Sequence, residues 1–143
     1  MIYLGLDYGS KTLGVSISDK TGLIASSLEV IRYQDVDNLL NRLDEIVILK
    51  KVDAFVLGNP LNLDGSVSKR TEETLEFKKL LESRYPNKEI FMQDERLSTV
   101  EAQRLLLSND ESRNKRKKVV DKIAACIILQ AFLDKREKWK KIV

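Results

Sequence analysis

The segment that decides the fold is Ile2–Gly14, which reads IYLGLDYGSKTLG. It predicts a short apolar strand that ends on Asp7, followed by a glycine turn and a second strand. A strand that ends on an acid brings the carboxylate to the rim of a sheet, where a metal ion or a phosphate could meet it. Since the chain has no histidine, an enzyme of this sequence would use acids, lysines or hydroxyls for its chemistry.

Composition and length predict one soluble globular domain covering residues 1–143. The chain is 43% hydrophobic and 33% charged, which is typical of a folded protein and not of a disordered one. It shows no signal-peptide pattern, and its longest apolar run, Ile123–Leu129, is too short to span a bilayer. We therefore expect a cytoplasmic protein that does not bind membranes.

The order of elements follows from a change of hydrophobic period along the chain. Period-two alternation predicts three strands between residues 2 and 33, and their short connections make them antiparallel neighbours. Helical spacing then alternates with short apolar runs. The predicted elements are a helix over Val36–Lys51 capped by Asp35, a strand over Ala54–Leu57, a helix from about Ser68 to Tyr85 stopped by Pro86, and a strand over Ile90–Met92.

Two more helices are predicted at the end of the chain. A capping box, Ser98 to Glu101, opens a helix that runs to about Ser108. A polar, basic loop over Asn109–Lys118 then leads to the last helix. Three strands followed by alternating helices and strands predict an α/β fold, a mixed sheet flanked by helices.

Three acids occupy positions from which they could converge. Asp7 follows the first strand, Glu95 follows the fifth, and Asp121 falls in the first turn of the predicted last helix. A cluster of carboxylates repels itself unless cations neutralise it, and oxygen ligands favour Mg²⁺ or Mn²⁺. Two such ions about 4 Å apart would activate a water and stabilise the leaving oxygen in phosphodiester cleavage.

Each acid also has a simpler explanation. Asp7 suits a turn with Gly9, and Glu95 could pair with Arg96 on the surface. Asp121 suits the positive end of a helix dipole. The three together favour a metal site, because the small residues Ala124 and Ala125 would let that helix lie close to the sheet.

A basic segment leads directly into Asp121. Five of the six residues from Arg113 to Lys118 are basic, and the sequence offers no aromatic residues between them. A solvated loop is one interpretation, but cations just before a metal-binding acid are what a nuclease needs to hold a phosphate backbone. The predicted phosphate-binding residues are Lys11, Arg96, Arg113, Lys115, Arg116, Lys117 and Lys118.

Four motifs in order resemble the YqgF (RuvX) family, described as Holliday-junction-resolvase-like proteins and as pre-16S ribosomal RNA nucleases. The resemblance covers nearly the whole chain. It is carried by Leu6-Asp7-Tyr8-Gly9-Ser10-Lys11 with Gly14-Val15, by residues 58–66 (GNPLNLDGS), by residues 94–99 (DERLST), and by residues 115–121 (KRKKVVD) with Ala124-Ala125.

The resemblance implies a ribonuclease-H-like fold with strand order 3-2-1-4-5. It implies that Asp7, Glu95 and Asp121 form a metal-dependent active site, which trims the 5′ end of pre-16S ribosomal RNA in the cytoplasm. Many ribonuclease-H-like enzymes place an acid at the end of the fourth strand, where this chain has Gly58-Asn59. The second acid is therefore Glu95, as in the motif of this family.

Three functions remain open on the sequence. The first is a metal-dependent nuclease on structured RNA, either naked or within a ribosomal particle. The second is a Holliday-junction resolvase on DNA, which needs a two-fold dimer; the sequence allows a monomer or a homodimer. The third is an RNA-binding ribosome-assembly factor whose acids are structural.

Overall fold

A five-stranded sheet forms the centre of the molecule in the computed structural model, which describes residues 1–95 and 113–142, with side chains at 1–95 and 123–137. The strands are β1 (Tyr3–Tyr8), β2 (Thr12–Ser18), β3 (Ala25–Arg32), β4 (Ala54–Asn59) and β5 (Glu89–Asp94). Their order in the sheet is β3-β2-β1-β4-β5. This is the order that the family resemblance implies, so that prediction is confirmed.

Strand direction brings three strand ends to one edge of the sheet. β1, β2 and β3 pair in antiparallel fashion, as predicted, whereas β4 pairs in parallel with both β1 and β5. The carboxyl ends of β1, β4 and β5 therefore lie side by side. We call this the catalytic edge, because its acids Asp7 and Glu95 are predicted to be catalytic, and it consists of Asp7, Gly58, Asn59 and Glu95.

Helices cover both faces of the sheet. The helices α1 (Val36–Lys50) and α2 (Lys69–Arg84) bury their apolar residues against one face, and α3 (Arg113–Ile142) covers the other. Leu4 and Leu6 of β1 belong to the core under α1 and α2, while Tyr3 packs with Leu129 and Leu133 of α3. Because side chains alternate along a strand, Asp7 lies on the α3 face.

Local sequence signals explain where α1 and α2 begin and end. The Asp35 side chain caps α1 by accepting from the amide of Asn38, and Lys51 ends this helix in a left-handed conformation. Ser68 and Thr71 form a reciprocal capping box at the start of α2. That helix ends just before Pro86, because a proline disfavours helical geometry in the residue before it.

The last helix begins earlier than the sequence predicts. The segment Arg113–Lys118, predicted as loop, forms the first turns of α3, because lysine and arginine are good helix formers and no glycine or proline interrupts residues 113–142. Asp121 is therefore in the third turn, not the first. The predicted helix over Ser98–Ser108 and residue Arg96 lie outside the described residues.

Helix α3 lies unusually close to β1 and β2. The Ser16 hydroxyl donates a 2.7 Å hydrogen bond to the backbone carbonyl of Ala125. A Cβ on Gly5 would lie 2.2 Å from Ser16 Oγ and 2.7 Å from Leu129 Cβ, so only glycine fits there. In residues 1–95 and 113–142 no helix has the length and apolar character needed to cross a membrane.

Candidate active site

Asp7 lies inside β1, one residue before its end, and not after the strand as predicted. It is paired across the sheet with Gly14 of β2, because the β1–β2 hairpin continues beyond it to Tyr8 and Leu13. Its side chain is 19% exposed. The strand therefore fixes the backbone of this carboxylate rigidly while its oxygens remain within reach of solvent.

Glu95 follows β5 directly, as predicted, and turns over the neighbouring strand. Its amide donates to the backbone carbonyl of Asn59 at 3.2 Å, and its side chain is 8% exposed. A Cβ on Gly58 would lie 2.2 Å from Glu95 Oε2 and 2.7 Å from Ile128 Cδ1. The glycine at the end of β4 thus provides the space that the Glu95 carboxylate occupies.

Arg70, the second residue of α2, reaches both carboxylates. Its Nη2 lies 3.3 Å from Asp7 Oδ1, and its Nη1 lies 3.7 Å from Glu95 Oε1. Sequence reasoning does not single out this residue. Its only signal is a position in the first turn of the helix that follows the β4 loop, and Lys69 beside it offers the same charge.

The electrostatics of the catalytic edge disfavour the ionised form of Glu95. Burial is the main cause that raises its pKa, to about 7, and the neighbouring Asp7 carboxylate is the second. The Arg70 guanidinium lowers the pKa, while Asp94 raises it further. The site therefore holds more negative charge than one arginine neutralises.

Asp121 can be placed by the backbone alone. Along α3, Leu133 shares a small cavity with Tyr3, and Ala125 contacts the β2 residue that pairs with Gly5. The helix therefore runs antiparallel to β1. Asp121 precedes Ala125 by one turn, about 6 Å, and Asp7 follows Gly5 by about 6.6 Å in the same direction, so position 121 comes level with the catalytic edge.

This position weakens the simpler explanation of Asp121. The helix dipole acts mainly within the first turn, and Asp121 is two turns further along α3. Among the side chains that the structure describes, no three acids, histidines or cysteines form a group able to hold a metal. Since the Asp121 side chain is not among them, its part in a metal site stays a prediction.

The predicted phosphate-binding residues fall into two groups near this edge. Lys11 is exposed in the turn between β1 and β2, where its carbonyl accepts from the amide of Tyr33. Arg113, Lys115, Arg116, Lys117 and Lys118 share the first turns of α3, on the same side of the sheet as Asp7. Their contacts with nucleic acid stay a prediction.

The residues of the catalytic edge fit a divalent cation with hard oxygen ligands. Asp7 and Glu95 supply carboxylate oxygens from the ends of β1 and β5, on either side of β4, and their charge is only partly offset by Arg70. The buried Oδ1 of Asn59 has no hydrogen-bond partner among the described residues, which leaves one more oxygen at this edge. The chain has no histidine, and Asp7, Asn59 and Glu95 offer only oxygen ligands, so the edge does not match a soft metal.

The mixed sheet of this order, with acids at the carboxyl ends of β1 and β5, has a ribonuclease-H-like fold. The chain is similar to Thermus thermophilus RuvC in complex with a Holliday junction, with a TM-score of 0.56 and 16% identity over 95% of this chain and 96% of that one. It is also similar to the fowlpox virus Holliday junction resolvase, with a TM-score of 0.56 and 13% identity over 94% and 99%. At these identities the likeness establishes the fold.

The chain belongs to the RuvX family, whose description is Holliday junction resolvase and whose model matches residues 1–135. A relative from Bacillus pumilus is 49% identical over 136 residues, 94% of this chain and 98% of that protein. A relative from Bacillus subtilis is 46% identical over the same shares of the two chains. Both relatives are provisionally named pre-16S rRNA nuclease.

Proposed function

We propose that this protein is a divalent-metal-dependent nuclease that processes the 5′ end of pre-16S ribosomal RNA in the cytoplasm. The observation that carries the proposal is the pair of carboxylates at the ends of β1 and β5, on either side of β4: Asp7 and Glu95 share one guanidinium. The names of the bacterial relatives support the RNA substrate. The proposal takes residues 1–143 as one catalytic domain.

In this proposal, Asp7, Glu95 and Asp121 hold Mg²⁺ or Mn²⁺ at the catalytic edge, either as one ion or as two. A bound divalent ion supplies activation of the attacking water and stabilisation of the leaving oxygen. The strand backbone fixes the Asp7 carboxylate, and Gly58 leaves room for Glu95 to approach it. Lys11, Arg96 and the basic residues of α3 hold the phosphate backbone and orient the scissile bond.

Cleavage of a 5′-extended 16S RNA fragment in Mn²⁺ tests this function. Asp7→Asn and Glu95→Gln should each reduce the cleavage rate by at least about a hundredfold, because each removes a charged metal ligand. Asp37→Asn is the matched control, since Asp37 is an exposed acid in the first turn of α1 on the other side of the sheet. It should cleave at the wild-type rate, and EDTA should stop cleavage by both wild type and this control.

Two results of this assay would contradict the proposed nuclease function. Wild-type cleavage by Asp7→Asn would exclude Asp7 as a metal ligand. RNA binding that survives EDTA, without any product on naked RNA or on a precursor ribosomal particle, would favour a non-catalytic assembly factor.

A Holliday-junction resolvase is the second candidate, favoured by the description of the family that the chain belongs to. Two symmetric cuts across a junction require a two-fold dimer. A four-way DNA junction, offered beside the RNA under the same conditions, distinguishes the two functions. Junction cleavage by a sedimenting dimer, without RNA cleavage, would replace the RNA nuclease with the resolvase.

A further inference from the structure

Arg70 contacts its carboxylates, Asp7 and Glu95, at longer distances than Arg42 and Arg84 contact theirs. Arg42 forms hydrogen bonds of 2.7 and 3.0 Å with Glu29, and Arg84 approaches Asp44 to 2.5 Å. Arg70 lies 3.3 Å from Asp7 and 3.7 Å from Glu95, and the second distance is an ion pair without a hydrogen bond. Its attraction to the pair is therefore mainly electrostatic.

The backbone beneath Arg70 is anchored, whereas its side chain is accessible. The capping box of Ser68 and Thr71 fixes the start of α2, and Thr71 Oγ1 also donates to the carbonyl of Pro60 at 2.7 Å. The Arg70 side chain is 53% exposed. Rotation about its side-chain bonds can thus remove the guanidinium from the catalytic edge without any movement of the helix.

We propose that Arg70 is a positioning residue that occupies the cation position beside Asp7 and Glu95 and is displaced when a divalent metal ion binds. This inference rests on the proposed metal-dependent function. In the metal-free protein the guanidinium limits the repulsion between the two carboxylates, because it lies near an oxygen of each. Arg70 therefore competes with the metal ion for these two carboxylates.

Displacement follows from distance and charge. Mg²⁺ binds oxygen ligands at about 2.0–2.1 Å, well inside the 3.3–3.7 Å at which the guanidinium lies from the two carboxylates. A divalent ion held by both carboxylates would then sit a few ångströms from a fixed positive charge. Like charges at that separation repel strongly in a partly buried site, so the guanidinium has to turn toward solvent.

Calorimetric titration with Mn²⁺ in the absence of nucleic acid tests the competition directly. Arg70→Gln should bind Mn²⁺ about five- to tenfold more tightly than wild type at pH 8, where protons compete little for the carboxylates. Arg70→Lys keeps the charge but loses the fork of donors, so its affinity should fall between the two. Lys69→Gln removes the same charge one residue away and should stay within about twofold of wild type.

The outcomes separate this inference from the proposed function. Equal or weaker Mn²⁺ binding by Arg70→Gln, with a normal wild-type titration and an unchanged melting temperature, would overturn the competition and leave the metal site intact. An equal gain in Mn²⁺ affinity in Lys69→Gln would also overturn the competition, because the gain would then come from the loss of any nearby positive charge. Absence of Mn²⁺ binding in every variant would overturn both the metal site and the role of Arg70.

Discussion

Glu95 is buried beside the Asp7 carboxylate, and these two features raise its pKa from 4.5 to about 7. An ordinary surface glutamate, with a pKa of about 4.3, is almost fully ionised at pH 7. In the metal-free protein the ionised Glu95 therefore opposes folding. A buried acid with a raised pKa beside a second carboxylate is typical of a functional site, which supports the cation proposed for this edge.

Replacement of Glu95 by glutamine should stabilise the metal-free protein at alkaline pH. The folded pKa is raised, so the folded state holds a proton that the unfolded state releases. The contribution is fully present below about pH 4.5 and is lost as the pH rises through about 7. In EDTA, wild type should lose about 3 kcal/mol of unfolding free energy between pH 4.5 and 8 that Glu95→Gln retains.

Urea denaturation at several pH values measures this difference. Glu76→Gln provides the control, because Glu76 is an exposed glutamate of α2 outside the catalytic edge. Its curve should parallel that of wild type. Parallel curves for wild type and Glu95→Gln would show that Glu95 ionises as an ordinary surface acid.

The packing of α3 on β1 depends on the absence of a side chain at Gly5. The helix backbone reaches the sheet there: a Cβ added at Gly5 would lie 3.0 Å from the Ala125 carbonyl oxygen and 2.7 Å from Leu129 Cβ. Since α3 also carries Asp121, this contact sets the distance between the helix and the catalytic edge. Ala125 is fully buried at this contact, in agreement with the close approach that its small side chain predicts.

Gly5→Ala should destabilise the protein by about 2–3 kcal/mol, because the added methyl group overlaps backbone and Cβ atoms that cannot easily move. Gly9→Ala is the matched control, since its Cβ would lie 3.1 Å from its nearest neighbour, the Thr12 carbonyl oxygen. That variant should lose no more than about 1 kcal/mol. Thermal and urea denaturation check both values, and equal losses in the two variants would contradict the close-packing account.

Local signals in the sequence predict most helices and strands. Contacts between segments that are distant in the sequence cannot be predicted from such signals. The cap at Asp35, the stop at Pro86 and the alternation in β1 act within a few residues, and the structure confirms each. The predicted beginning of α3 is wrong, because a run of like charges suggests a loop although its residues have high helix propensity.

The candidate site shows the same division between residues that local patterns predict and residues that only long-range contacts reveal. The positions of Asp7 and Glu95 near strand ends follow from hydrophobic alternation and from the family motifs. Arg70 could not be predicted, because it meets Asp7 across 63 residues and nothing nearby in the sequence marks that pairing. The fit of Glu95 over Gly58 is likewise a contact between two strands that only the sheet register reveals.

Charge in the whole molecule is distributed unevenly, although the net charge is only +3. The basic segment 113–118 forms the first turns of α3. Because α3 runs antiparallel to β1, these turns lie on the catalytic-edge side of the sheet. Binding of a nucleic acid there would release counterions in proportion to the number of its phosphates that the basic side chains contact. Salt dependence of binding therefore reports whether this end of α3 is the nucleic-acid surface.

The double variant Lys117→Gln/Lys118→Gln should bind structured RNA more weakly and with a shallower dependence on salt. Loss of up to two phosphate contacts should reduce the slope of log affinity against log salt concentration by about 1 to 2. Lys78→Gln/Lys79→Gln is the matched control, because it removes the same charge from α2 on the opposite face of the sheet. Filter binding in EDTA over a range of KCl concentrations measures both slopes without cleavage. If the α2 variant lowered the slope as much as the α3 variant, RNA would be attracted by overall charge, and the beginning of α3 would have no special part in holding the backbone for cleavage at Asp7 and Glu95.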